Sequence, residues 1–239
     1  MRPVLSLALV LAGAFSAAPP STCTGTLYLT IDTGSMSQAE RIRDILRRHQ
    51  VKATFFVAQE RTVRGDLTLE PAWADYWKSL VADGHRFGTH TFRHGRLAGD
   101  LPDGRIRYVV DGRTELLTEQ TFCEELRRAD LRFFELTGRR MDGLWRAPGG
   151  HTTPNAIRYA AACGYRHVGW AAAGFLGDEL PSEKYPNTLL LDGDVMMMHL
   201  GIWSRRDPWA PELEPLITGL QAKGFCFATV PAQEAPHGR

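Results

Sequence analysis

Apolar residues in this chain fall into short continuous runs, separated by longer stretches in which they recur every three or four positions. The short runs predict strands at Leu27 to Ile31, Ala53 to Val57, Arg86 to Gly88, Leu144-Trp145, His167 to Gly169, Val195 to Met198 and Phe225 to Val230. The periodic stretches predict helices. One opens on a capping box, Ser37-Gln38-Ala39-Glu40, and carries Ile42, Ile45 and Leu46 on one face. A second, Pro71 to Asp83, buries Trp73, Trp77, Leu80 and Val81 and stops at Gly84. The longest, Thr118 to Thr137, turns Phe122, Leu126, Phe133 and Leu136 inward and ends at Gly138. Two more follow, Pro154 to Cys163 and Pro211 to Lys223. Gly95 to Leu117 is polar and glycine-rich and reads as a surface insertion, with Val109-Val110 marking a small hairpin; Gly174 to Asn187 is irregular.

Strand and helix alternate about seven times, the signature of an α/β fold with a parallel sheet and crossover helices. Ligands in such sheets bind at the carboxyl ends of the strands. Asp32, His90, Arg146, Trp170 and His199 each lie immediately after a predicted strand, so the topology gathers them on one rim.

Composition narrows the class. Arg2, the apolar run Val4 to Phe15 and the small residues Ser16-Ala17-Ala18 read as a secretory signal, giving an exported, periplasmic or secreted protein. That run falls short of the roughly 20 residues of a membrane span, so no span is expected in the mature chain; an uncleaved anchor is the alternative. Residues 19–239 then form a single domain, with no linker composition inside it. The 28 basic and 27 acidic residues leave no electrostatic footprint for nucleic acid. Four cysteines in an exported chain allow two disulfides. A Cys23–Cys226 bridge would tie the two ends of a closed fold together, whereas Cys123 and Cys163, on flanking helices, are equally placed to be buried thiols. Oligomeric state is not written in the sequence.

His90-Thr91-Phe92-Arg93-His94 carries candidate chemistry, because histidines four apart on one side of a helical turn can bring two imidazole nitrogens to one divalent cation. With its neighbours on the rim, the segment resembles the polysaccharide deacetylases, the NodB-like family-4 carbohydrate esterases. Thr30-Ile31-Asp32-Thr33-Gly34 resembles that family's first motif, Thr-Phe-Asp-Asp-Gly. His90 to His94 matches the second, Arg146-Ala147-Pro148-Gly149-Gly150 is similar to the third, and Met197-Met198-His199 stands where the last, Leu-x-His, belongs.

The resemblance implies a distorted (β/α)7 barrel and metal-assisted removal of N-acetyl groups from an amino-sugar glycan, with zinc the expected ion. It assigns His90 and His94 to the metal, Asp32 to proton abstraction from water, and His199 to protonation of the leaving amine. Arg146 would orient Asp32, the Gly149 N–H would meet the oxyanion, and Trp170 would wall the acetyl methyl. Three positions depart from the pattern. Thr33 replaces the aspartate that completes the family's metal triad, Ala171 follows Trp170 where an aspartate is usual, and Gly149 replaces an aromatic residue. Asp178, Glu179 and His151 lie on loops near the rim as candidate substitutes, although each reads more simply as a solvated loop residue. Trp203 and Trp209, flanking Arg205, Arg206 and Asp207, suit either stacking on a sugar face or packing on the barrel. Two other readings stay open: a metal-free carbohydrate-binding pseudoenzyme, and a metal-dependent amidohydrolase acting on a small amide.

Overall fold

A computed structural model describes residues 23–176, 190–203 and 210–232. The proposed signal segment, Asp178, Glu179 and the stretch Arg205 to Trp209 lie outside the described residues. In chain order the elements are β1 (Gly25–Asp32), α1 (Ala39–Arg48), β2 (Thr54–Val57), α2 (Ala74–Ala82) and β3 (Arg86–Thr89). Then come β4 (Arg96–Asp100), β5 (Ile106–Val110), β6 (Arg113–Leu117), α3 (Glu119–Thr137), β7 (Leu144–Trp145) and α4 (Pro154–Ala162). The chain closes with β8 (Arg166–His167), β9 (Val195–His199), α5 (Ala210–Ala222) and β10 (Phe225–Ala228).

Seven strands form one parallel sheet in the order β10-β1-β2-β3-β7-β8, with β9 also pairing β1. With its flanking helices it makes the distorted (β/α) barrel that the strand–helix alternation and the resemblance imply. Register is what positions the site. Asp32 lies level with Phe56 on one neighbour and with His199 on the other, while Thr89 pairs with both Val57 and Trp145. The chain therefore leaves β1, β2, β3, β7 and β9 on the same rim.

Side chains alternate across β1 as a strand requires. Leu27, Leu29 and Ile31 are fully buried against Ile42, Ile45 and Leu46 of α1 and the rest of the outer core. On the inner side, Phe56, Leu144, Val168 and Val230 form a small cluster beneath the rim, with Tyr28 packed against it. Each such buried aliphatic or aromatic side chain contributes about 1.5–3 kcal/mol.

The helices keep the expected faces, with changes at their ends. Residues 37–40 do not form a capping box: α1 starts at Ala39 without a side-chain cap, and Ser37 Oγ instead lies 3.3 Å from Ser35 Oγ. Pro71–Trp73 is a 3-10 turn leading into α2, and α3 has a true box between Thr118 and Thr121. Residues 96–117 are more than a polar excursion. Their three antiparallel strands bury Leu97, Ile106, Tyr108 and Leu117 with Phe122 and Leu126 of α3. Interspersed glycines and charges hide that alternation in the sequence.

Both cysteine pairs are bridged. Cys23–Cys226 ties the entry of β1 to β10, and Cys123–Cys163 ties α3 to the end of α4, with Cα separations of 5.6 and 6.0 Å. No helix among the described residues is long and apolar enough to cross a membrane.

Candidate active site

The rim is organised around a buried ion pair. Arg146, the first residue after β7, is fully buried, and its Nη1 donates to Asp32 Oδ1 at 2.8 Å. Its Nε and Nη2 donate to the carbonyls of Val168 (3.0 Å) and Gly169 (3.1 Å), fixing the guanidinium plane. The group lies over the Phe56 ring at 4.3 Å and the Trp170 ring at 5.3 Å. Burial by itself would raise the Asp32 pKa. The Arg146 charge, with smaller contributions from the His90 and His199 imidazoles and the Arg146 hydrogen bond, outweighs it, holding the carboxyl below its ordinary value and ionised.

His90 leaves β3 into the same space. Its Nδ1 lies 3.0 Å from the Arg146 carbonyl, which can only accept, so Nδ1 carries the proton and Nε2 keeps its lone pair. Burial pushes this imidazole down to about 4, with Asp32 opposing, so it is neutral at pH 7. Nε2 faces Asp32 Oδ2 at 3.5 Å. Two acceptors pointing at each other repel, and a cation or a proton between them relieves the repulsion. His94 approaches with ring centroids 4.8 Å apart. Here the helical-turn expectation is corrected: Thr91 (φ 59°) and His94 (φ 52°) are left-handed, and an irregular bend brings the rings together.

Glu60, three residues beyond β2, completes the cluster. Thr33 Oγ1 donates to Glu60 Oε2 at 2.5 Å and accepts from the Ala58 N–H at 3.2 Å, while the Gly34 N–H donates to the same Oε2 at 2.8 Å. Glu60 Oε1 is 3.4 Å from His94 Nδ1. Glu60 was missed in the sequence because it belongs to no motif. The signal that points to it is its place on the loop leaving β2, three residues past the strand. Of the candidate substitutes, His151 is exposed on extended chain just past the Pro148–Gly150 turn. Among the described residues, no group of three or more His, Cys, Asp or Glu side chains is arranged so that it could hold a metal ion as it stands. The donor chemistry nonetheless fits a divalent cation: a neutral imidazole with its tautomer fixed by a carbonyl, a second imidazole and a carboxylate.

The remaining predicted residues line the same mouth. His199 ends β9 half-buried and level with Asp32. Gly149 and Gly150 lie in a 3-10 turn with φ of 68° and 74°. A Cβ on Gly149 would meet nothing within 4 Å, whereas one on Gly150 would lie 2.5 Å from the Trp170 ring. Trp170 stacks on Phe175 at 6.1 Å, and Phe175 and Trp203 are exposed. An ionised carboxylate, two imidazoles and a second carboxylate beneath an aromatic wall suit proton transfer to and from a polar substrate.

The profile of the polysaccharide deacetylase family matches residues 20–168. Protein YlxY of Bacillus subtilis (strain 168) is 29% identical over 196 residues, covering 80% of this chain and 51% of its own. A peptidoglycan-N-acetylglucosamine deacetylase of Bacillus cereus is 23% identical, covering 85% of this chain and 66% of its own. The chain thus spans about half the length of the first relative and 66% of the second. Among solved structures, a peptidoglycan N-acetylglucosamine deacetylase superposes with a TM-score of 0.67 at 20% identity, covering 87% of this chain and 90% of that one.

Proposed function

The chain belongs to the polysaccharide deacetylase family, and from that membership we propose that it hydrolyses N-acetyl amides on an amino-sugar glycan outside the cytoplasm. The observation carrying this reading is the buried Asp32–Arg146 pair set beside His90 and level with His199. A cation held through His90 and His94, zinc by donor type, would polarise the acetyl carbonyl and acidify the attacking water.

Asp32 is the base. Arg146 keeps it ionised and aims its free oxygen, Oδ2, toward the His90 side of the mouth, where it takes a proton from water. The Gly149 N–H, on a turn whose left-handed backbone glycine adopts without strain, donates to the oxygen that gains charge as the carbonyl becomes tetrahedral. His199, level with Asp32 on the neighbouring strand β9, gives a proton to the departing amine, which leaves as an amino sugar while the acetyl group leaves as acetate. Trp170 supplies the apolar wall for the acetyl methyl. Residues 1–18 serve as the export signal and residues 19–239 as one catalytic domain, in keeping with two disulfides, which persist in oxidising compartments.

The test is acetate release from N-acetylglucosamine oligomers and from peptidoglycan by zinc-loaded protein, with Asp32→Asn and His199→Ala alongside. Loss of a general acid or base lowers the rate about 10²–10⁴-fold. Protein that binds the oligomers without releasing acetate would make the carbohydrate-binding reading correct. Turnover confined to small amides would favour the amidohydrolase reading.

A further inference from the structure

We propose that Glu60 is the carboxylate ligand of the metal centre, completing a His90–His94–Glu60 set in place of the carboxylate missing at position 33, with Thr33 as its positioning residue. The inference rests on the deacetylase reading to the extent that it assumes a bound cation.

Four observations carry it. First, the gap left at position 33 is filled. Thr33 is buried, and its hydroxyl ends on Glu60 Oε2, so a carboxylate oxygen sits one hydrogen bond beyond where a side chain on β1 would have delivered one. Second, the Glu60 carboxylate is held from one side. Thr33 Oγ1 and the Gly34 N–H both bind Oε2, while Oε1 faces His94. A carboxylate anchored through one oxygen and offering the other is how a ligating carboxylate is oriented by its surroundings.

Third, the backbone around Glu60 is fixed. The Glu60 N–H donates to Thr68 Oγ1 at 3.0 Å, and its carbonyl accepts from the Thr68 N–H at 2.9 Å. Fourth, two imidazoles and one carboxylate are a sufficient protein set for a catalytic zinc site, leaving a position for water or substrate. The side chain of His94 is 39% exposed, so it is the member with room to turn as the centre fills. Arg93, between the histidines, is tied to Glu115 and Glu125 and does not compete for Glu60.

The rival account makes Glu60 a loop staple that satisfies Gly34 and Thr33 and nothing more. Glu60→Gln separates the two, because the amide oxygen still accepts from both donors while the charge is lost. The experiment strips the full chain with chelator, then titrates zinc by competition against a chromophoric chelator and counts bound metal by mass spectrometry.

We expect one zinc per wild-type chain and more than about 100-fold weaker binding in E60Q, beyond what loss of an outer-shell partner does. Thr33→Asp in the E60Q background restores affinity to within about 10-fold of wild type, since the charge returns on β1. Metal-free E60Q should melt with the wild type. Should Gln at position 60 unfold the loop, Thr33→Val answers the same question by removing the hydroxyl that positions Glu60, and it should weaken zinc about 10-fold. Wild-type zinc affinity in E60Q or T33V overturns the assignment while leaving a metal-dependent deacetylase intact. A wild-type chain that binds no zinc overturns both.

Discussion

Replacing Arg146 by Met removes a buried cation while keeping most of its volume. The guanidinium donates to Asp32, Val168 and Gly169, so the variant strands one buried carboxylate and two carbonyls. Breaking a buried ion pair from one side costs about 3–5 kcal/mol. A buried acceptor left without its donor costs about 1 kcal/mol or more, so a loss of roughly 5 kcal/mol is expected at pH 7. Urea unfolding followed by tryptophan fluorescence reads it directly.

Two further signatures identify the cause. Asp32→Asn in the same background should recover about 1–3 kcal/mol, because the stranded charge is then gone. Asp32 without Arg146 keeps its burial and loses its main counter-charge, so its folded pKa moves above the ordinary 3.8. An acid whose folded pKa is raised gains stability on protonation, so the deficit of the variant shrinks as pH falls through that raised value. A loss below about 1 kcal/mol, the range of exposed pairs, or a deficit that does not change with pH, would refute the buried-pair account.

Three other substitutions probe the fold and the mouth. His85 is 2% exposed and accepts from the Ala53 N–H, and burial, aided by Lys52, pushes its pKa down to about 4. Its unfolded form protonates near 6.5, so its stabilising effect is complete above that pH and is lost as pH falls toward 4, by roughly 3 kcal/mol in total. His85→Gln should flatten the stability profile between pH 6.5 and 4.5 in urea titrations, and a slope parallel to wild type would contradict this. Gly149→Ala and Gly150→Ala both force a left-handed residue at about 1 kcal/mol, but a Cβ at 150 also meets the Trp170 ring. The second should therefore cost at least about 1 kcal/mol more and shift Trp170 fluorescence; equal costs would mean that Trp170 does not pack there.

Most of the barrel elements and most of the rim were legible in the sequence. Apolar spacing is a local property, so the faces of α1 and α3 and the strands that deliver Asp32, His90, Arg146 and His199 were legible from it. The motif order located the same residues and exposed Thr33 as a defect. Tertiary structure alone decided what meets what. Glu60 reaches Thr33 across 27 positions because β1 and β2 are parallel neighbours in a particular register. No periodicity or motif encodes that register. His90 and His94 converge through two left-handed residues, which the His-x-x-x-His spacing suggested would be a helical turn. The 96–117 segment has a core that becomes visible only once α3 lies under it. Local chemistry wrote the candidates; strand pairing and burial decided which carboxylate stands beside the histidines.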